Sequence, residues 1–127
     1  MIWPLLIMAA ALTGPDLDPA LGAVKACDRG AMQALTKAEP HRRSEWAAAA
    51  YAEQQAIARE RGLLLFPGAV PPTPAGQASL NLALAGLDAR QKQLDDARAV
   101  ERSWRELVDE LRADFLANCA VRGGKDQ

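Results

Sequence analysis

The stretch that decides the fold reads Pro-Gly-Ala-Val-Pro-Pro-Thr-Pro-Ala-Gly and occupies residues 67–76. Four prolines and two glycines in ten residues predict that no regular helix runs through it. Helical patterns lie on both sides, so we expect the chain to fold back here, with residues 63–77 as the connecting loop. The apolar residues 63–66 are expected to pack over the end of the two arms, or alternatively to form an exposed docking tip.

The chain contains two cysteines, Cys27 and Cys119, whose midpoint in the sequence is Thr73. If the chain folds back at Thr73, residues whose numbers add up to about 146 face each other, and the two cysteines come level. A disulfide requires Cα atoms within about 4.4–6.8 Å of each other. A Cys27–Cys119 disulfide therefore favours an all-α fold, an elongated antiparallel helical hairpin over residues 20–122.

The alternative architecture is a compact three-helix bundle that turns at residues 39–41. In that arrangement Cys27 lies level with about residue 89, which is roughly 45 Å from Cys119 along a helix. The disulfide would exclude the compact bundle, but the sequence alone leaves open whether the two cysteines are paired.

Apolar residues recur every three or four positions in both arms, as in amphipathic helices. The first arm is predicted to end near Gly62 and to be kinked or broken at Pro40. The second is predicted to begin at Ala78, with Ser79 as its cap. The residues expected to face inward are, in the first arm, Leu21, Val24, Cys27, Ala31, Leu35, Trp46, Ala50 and Ile57, and in the second, Leu80, Leu84, Leu87, Leu94, Ala97, Trp104, Val108, Leu111, Phe115 and Cys119, with Gln91 and Glu101 as polar interruptions.

The register of the hairpin gives further expectations about contacts across the two arms. Leu35 should face Leu111, Met32 should lie near Phe115, and Tyr51 should lie near Leu94.

The two ends of the chain bear on its localisation. Residues 1–14 are apolar and uncharged, too few to span a bilayer, which needs about 20 residues, and are typical of a signal peptide. Residues 15–19 are interpreted as a linker and residues 123–127 as a flexible tail. We therefore expect a periplasmic or secreted protein, or alternatively one anchored to the membrane by an uncleaved N-terminal segment and facing the periplasm.

Charge and motif content narrow the function. Fifteen Lys and Arg balance 16 Asp and Glu, which argues against nucleic acid as a partner. The chain has no P-loop, dinucleotide fingerprint, C-x-x-C or H-E-x-x-H motif, so we predict no catalytic residues, no metal site and no cofactor. His41 is the single histidine. The carboxylates of the second arm, such as Glu101 beside Arg105, are interpreted as a solvated face of ion pairs.

Aromatic and cationic residues near Pro40 form the candidate partner or ligand surface, because Trp, Tyr and Arg are common interface anchors. The expected function is non-enzymatic: an interaction, adaptor, inhibitor or chaperone-like module with a protein partner, with association between copies of the chain left open. The alternatives are an apolar-ligand-binding bundle and a membrane-tethered coiled-coil stalk. The candidate surface residues are Trp46, Tyr51, Trp104, Arg42 and Arg43.

Overall fold

The computed structural model describes residues 17–119. Its regular structure over that range consists of three α-helices: α1 (Asp18–Ala26), α2 (Arg29–Leu65) and α3 (Pro74–Asn118). The expected signal peptide and the expected tail lie outside the described residues. Residues 18–19, assigned to the linker from the sequence, form the first turn of α1.

Helices α2 and α3 are the two arms of an antiparallel hairpin, with 37 and 45 residues and lengths of about 55 and 67 Å. Cys27 and Cys119 form a disulfide with 5.2 Å between their Cα atoms. The side-chain amides of Gln54 and Gln91 exchange hydrogen bonds of 2.8 and 3.0 Å. Both pairs add up to about 146, so the hairpin and its register are confirmed, and the compact bundle with a turn at residues 39–41 is wrong.

The first arm is interrupted at Cys27 and Asp28, and of the two alternatives predicted at Pro40, a kink or a break, the break is wrong. Cys27 has a left-handed backbone (φ 53°), and the N–H of Asp28 donates to the carbonyl of Ala23, the pattern of a Schellman motif. Asp28 then caps α2 by accepting a hydrogen bond from the N–H of Ala31. Pro40 lies inside the continuous helix α2. The interruption at Cys27 and Asp28 instead divides the predicted single stripe from Leu21 onward between two helices.

The connecting loop is shorter than predicted and covers residues 66–73. Its first half is a type II turn, in which Gly68 has φ 80° and the N–H of Ala69 donates to the carbonyl of Phe66. Thr73 caps α3 through its hydroxyl, which accepts from the N–H of Gly76. A Cβ on Gly76 would lie 2.3 Å from the carbonyl oxygen of Pro71, so this close approach requires glycine.

The predicted ends of the arms beside this loop are wrong. Helix α3 begins at Pro74 instead of Ala78, because proline is well suited to the first turn of a helix. Helix α2 continues past Gly62 to Leu65.

Buried positions in the two long helices recur every seven residues, the pattern typical of coiled-coil packing. Two apolar clusters result. The first lies in the middle and loop half of the hairpin, and the second lies at the disulfide-closed end, where Leu35 and α1 also pack against it. The first cluster contains Trp46, Ala50, Ile57, Leu87 and Leu94, and the second contains Ala23, Met32, Phe115 and Cys119.

The expected contact between Met32 and Phe115 is confirmed by their place in one cluster. The expected contact between Tyr51 and Leu94 is wrong, because Tyr51 is 66% exposed and Ala50 takes the inner position instead.

Candidate functional site

A cluster of charged side chains crosses the hairpin beside Pro40, at the position of the predicted surface. The guanidinium of Arg42 in α2 donates two hydrogen bonds of 2.9 Å to the two carboxylate oxygens of Glu101 in α3. Arg105 donates a third hydrogen bond to Glu101, at 2.7 Å. Glu101 is only 3% exposed, so the expectation of a solvated ion pair at this residue is wrong, and its charge is neutralised inside the core.

A second buried carboxylate completes this central charge cluster, which consists of Glu39, Arg42, Arg43, Glu101 and Arg105. Glu39 accepts hydrogen bonds from both Arg42 and Arg43. Arg43 also donates to Asp109 of α3 at 3.0 Å. Each of the two buried glutamates is therefore paired with two arginines, which offsets the cost of removing the charges from water.

The pKa values of both buried glutamates lie below their usual value. Burial by itself raises the pKa of Glu101, but the hydrogen bonds and charges of Arg42 and Arg105 outweigh this effect. Burial likewise raises the pKa of Glu39, and Arg42 and Arg43 outweigh it in the same way. The cluster is thus ionised at neutral pH and belongs to the framework of the hairpin.

Trp46 lies directly beneath this cluster, inside the core. Its side chain is 7% exposed, and the guanidinium carbon of Arg105 lies 5.7 Å from the centre of its ring, within cation–π range. The indole N–H is buried and has no hydrogen-bond acceptor among residues 17–119. Trp46, Arg42 and Arg43 are therefore engaged in holding the two arms together.

Trp104 has a different environment on α3. It is half-buried and lines a shallow, open apolar groove along the surface of α3, which none of the other four candidate residues lines. The structure therefore does not bring the five candidate residues together in one groove. Tyr51 stands apart on α2 with its side chain exposed. We call this groove the α3 groove, and its lining residues are Ala99, Val100, Ser103, Trp104 and Leu107.

A larger groove, missed by the sequence analysis, lies between α2 and α3 near the disulfide. Its cavity measures about 610 Å³ and has three apolar residues and three cations among its lining. The sequence carries a weak signal of it, because Arg29 and Lys37 have no carboxylate three or four residues away with which to pair. We call it the cationic groove, and its lining residues are Arg29, Met32, Gln33, Thr36, Lys37, Arg112, Phe115 and Leu116.

Residues 17–119 contain no group of three or more His, Cys, Asp or Glu side chains arranged to hold a metal ion. None of the three described helices is long and apolar enough to cross a membrane. Comparison with protein-family models, with curated proteins and with solved structures found no match.

Proposed function

We propose that the protein is an exported, non-enzymatic interaction module that binds an amphipathic helix of a protein partner in the α3 groove. The observation that carries the proposal is the exposed apolar face made by Val100, Trp104 and Leu107. These residues follow one another at steps of four and three positions, so their side chains form one stripe along α3.

The hairpin does not need this stripe for its own core. Trp46, Ile57 and Leu94 already fill the space between the arms, while Val100 is 52% exposed and Leu107 39% exposed. An apolar stripe of this kind matches the way in which amphipathic helices bind in grooves, and tryptophan is enriched among residues that dominate binding energy.

Export is supported by the disulfide and by the sequence of the first residues. Disulfides persist in oxidising compartments and are rare in the cytosol. Cys27–Cys119 joins residues 92 positions apart, and residues 1–14 have the composition of a signal peptide. A periplasmic or secreted location is consistent with both observations.

The partner-binding proposal is tested by placing a charge in the α3 groove. Leu107→Glu should abolish crosslinking of a specific partner to the native protein in its own compartment, because a carboxylate cannot be buried there without a compensating hydrogen bond. Leu82→Glu is the matched control, since Leu82 lies on the same helix, is 77% exposed and does not line the groove. Circular dichroism should confirm that both variants fold.

Equal crosslinking by the Leu107→Glu and Leu82→Glu variants would rule out the α3 groove as the binding surface. A crosslinked product with the mass of two copies of this chain would show that the groove binds a second copy of the chain and not another protein.

Export is tested by the mass of the protein recovered from its native compartment. We expect an N-terminus near residues 12–15 and no free thiols. An intact Met1 in the membrane fraction would instead support the tethered-stalk alternative.

A further inference from the structure

We propose that the cationic groove binds a medium-chain fatty acid, with the carboxylate head held by Arg29 and Arg112 and the alkyl chain over the apolar residues beside them, while Lys37 adds positive charge to the same groove. This site is separate from the α3 groove, so the inference goes beyond the proposed function and does not depend on it.

The first observation is the state of the three cations. Arg29, Lys37 and Arg112 make no ion pair with any residue in the range 17–119, in contrast to Arg42, Arg43 and the other cations that join the arms. No carboxylate is among the residues that line this cavity. Three uncompensated positive charges around one cavity favour an anionic ligand, and arginine in particular matches the planar geometry of a carboxylate.

The second observation is the apolar surface beneath those charges. Met32 and Phe115 belong to the cluster at the closed end, and their outer surfaces line the cavity together with Leu116, which is 54% exposed. An alkyl chain laid on this surface removes apolar area from water, which is favourable. A purely ionic ligand such as phosphate would leave this surface uncovered, so the ligand is expected to be amphiphilic.

The third observation is size. A cavity of about 610 Å³ lies within the range of roughly 300–1,000 Å³ found for small-molecule sites. A second cavity of about 240 Å³ shares two lining residues with the first, Thr36 and Arg112, and lies beside it on the side of Pro40 and Val108. One alkyl chain can extend in that direction.

The charges in the second cavity fix the orientation of the ligand. Its carboxylates, Glu39 and Asp109, already share the cation of Arg43. They would repel a second anion, so the fatty acid head is expected at the Arg29 end and the chain toward Pro40.

The test is isothermal titration of the disulfide-bonded protein with laurate below its micelle concentration. We expect saturable binding with one ligand per chain. The double variant Arg29→Gln and Arg112→Gln should bind at least about tenfold more weakly, because charge-assisted hydrogen bonds to the head are lost. The matched control is Arg59→Gln with Arg102→Gln, which removes the same charge from two exposed arginines that also lack ion pairs and do not line the groove.

Two further probes separate the head from the chain. The methyl ester of laurate lacks the anionic head and should bind at least about tenfold more weakly than laurate to the original protein. Leu116→Glu should weaken laurate binding because it replaces apolar surface under the alkyl chain with a carboxylate that loses its hydration when the chain covers it, while leaving partner crosslinking at the α3 groove unchanged.

Failure of laurate to bind saturably, or equal weakening by both double variants, would overturn the proposal. Binding to vesicles of phosphatidylglycerol without binding of free laurate would also overturn it, because the groove would then recognise a membrane surface. Partner binding at the α3 groove is measured separately, by crosslinking with the Leu107→Glu variant. A negative result for laurate therefore leaves the partner-binding proposal standing, and the reverse also holds.

Discussion

The closed end of the hairpin and its middle are held together by different means. At the closed end the two arms and α1 are joined by a disulfide over an apolar cluster that includes Met32 and Phe115. In the middle the arms are joined by ionised side chains, with Glu101 buried between Arg42 and Arg105. The closed end thus combines a covalent bond with apolar burial, and the middle combines apolar burial with charge pairing.

This difference matches the way in which each region of a long hairpin can come apart: the ends can fray, and the middle can shift its register. The ends of long helices fray, because their last backbone groups lack intrahelical partners. A covalent bond therefore stabilises the hairpin most when it joins those ends. In the middle, an arm made of leucine and alanine alone could slide by one heptad at little cost. Buried polar groups such as Glu101 penalise each shifted pairing, which is the best-attested role of polar residues in coiled coils.

The largest effect is expected from removing the covalent bond. Replacing Cys27 and Cys119 together by serine should lower the free energy of unfolding by about 4–5 kcal/mol, since the disulfide closes a loop of about 90 residues in the unfolded chain. The measurement is urea denaturation of the variant beside the oxidised protein.

Hydrogen exchange locates the effect of that variant. Amides of α1 (Asp18–Ala26) should exchange through local opening, while those around Ala50 should follow global unfolding. Equal protection of α1 and the middle in the serine variant would show that the apolar cluster alone holds the closed end. The closed end would then not depend on its disulfide, contrary to the comparison drawn above.

The next largest effect is expected in the middle. Glu101→Ala should lower the free energy of unfolding by about 3 kcal/mol, because it removes the buried carboxylate that joins Arg42 to Arg105 and leaves the half-buried Arg42 with Glu39 as its remaining partner. Asp96→Ala is the matched control: it breaks the exposed pair with Lys92 on the same helix, which is worth less than about 1 kcal/mol. Similar losses of unfolding free energy in the two variants would mean that the buried ion pairs of the central charge cluster stabilise the fold no more than an exposed pair does.

Acid should weaken the middle more than the closed end. The folded-state pKa values of Glu39 and Glu101 lie below the ordinary value of 4.5, so below that pH the unfolded chain binds more protons than the folded one. The stabilisation is therefore complete above about pH 5 and is lost as the pH falls through the lowered pKa values. Urea denaturation between pH 7 and pH 3 should show a shallower decline for Glu101→Gln, and an identical pH profile would contradict this account.

The sequence predicted the hairpin and its register, because three independent patterns agree, and it placed the two cysteines level with each other while leaving their pairing open. The proline-rich stretch marks the turn, the cysteines are symmetric about Thr73, and the apolar spacing selects the inner faces. The break at Cys27 was missed because a left-handed backbone at a cysteine has no reliable signal, whereas Pro40 carries a strong one that a long, well-packed helix can override.

The candidate site was harder to predict than the fold. Arg42 and Arg43 look like surface anchors in the sequence, and only the packed structure shows that Glu39 and Glu101 are buried and already occupy them. The cationic groove is defined by which charges remain unpaired after the arms have packed. That property depends on side-chain positions across two helices and cannot be obtained from spacing along one of them.

The smallest expected effect concerns the indole N–H of Trp46, which lies beneath the central charge cluster. Trp46→Phe removes an indole N–H that is buried without an acceptor among the described residues, and an unsatisfied buried donor costs about 1–3 kcal/mol. The smaller ring loses apolar contact of similar magnitude, so the net change in unfolding free energy should stay below about 1.5 kcal/mol. Trp46→Ala, measured in parallel by urea denaturation, should cost about 3–5 kcal/mol through the cavity it leaves. If phenylalanine proved as damaging as alanine, the full indole ring and its cation–π contact with Arg105 would be essential to the middle of the hairpin.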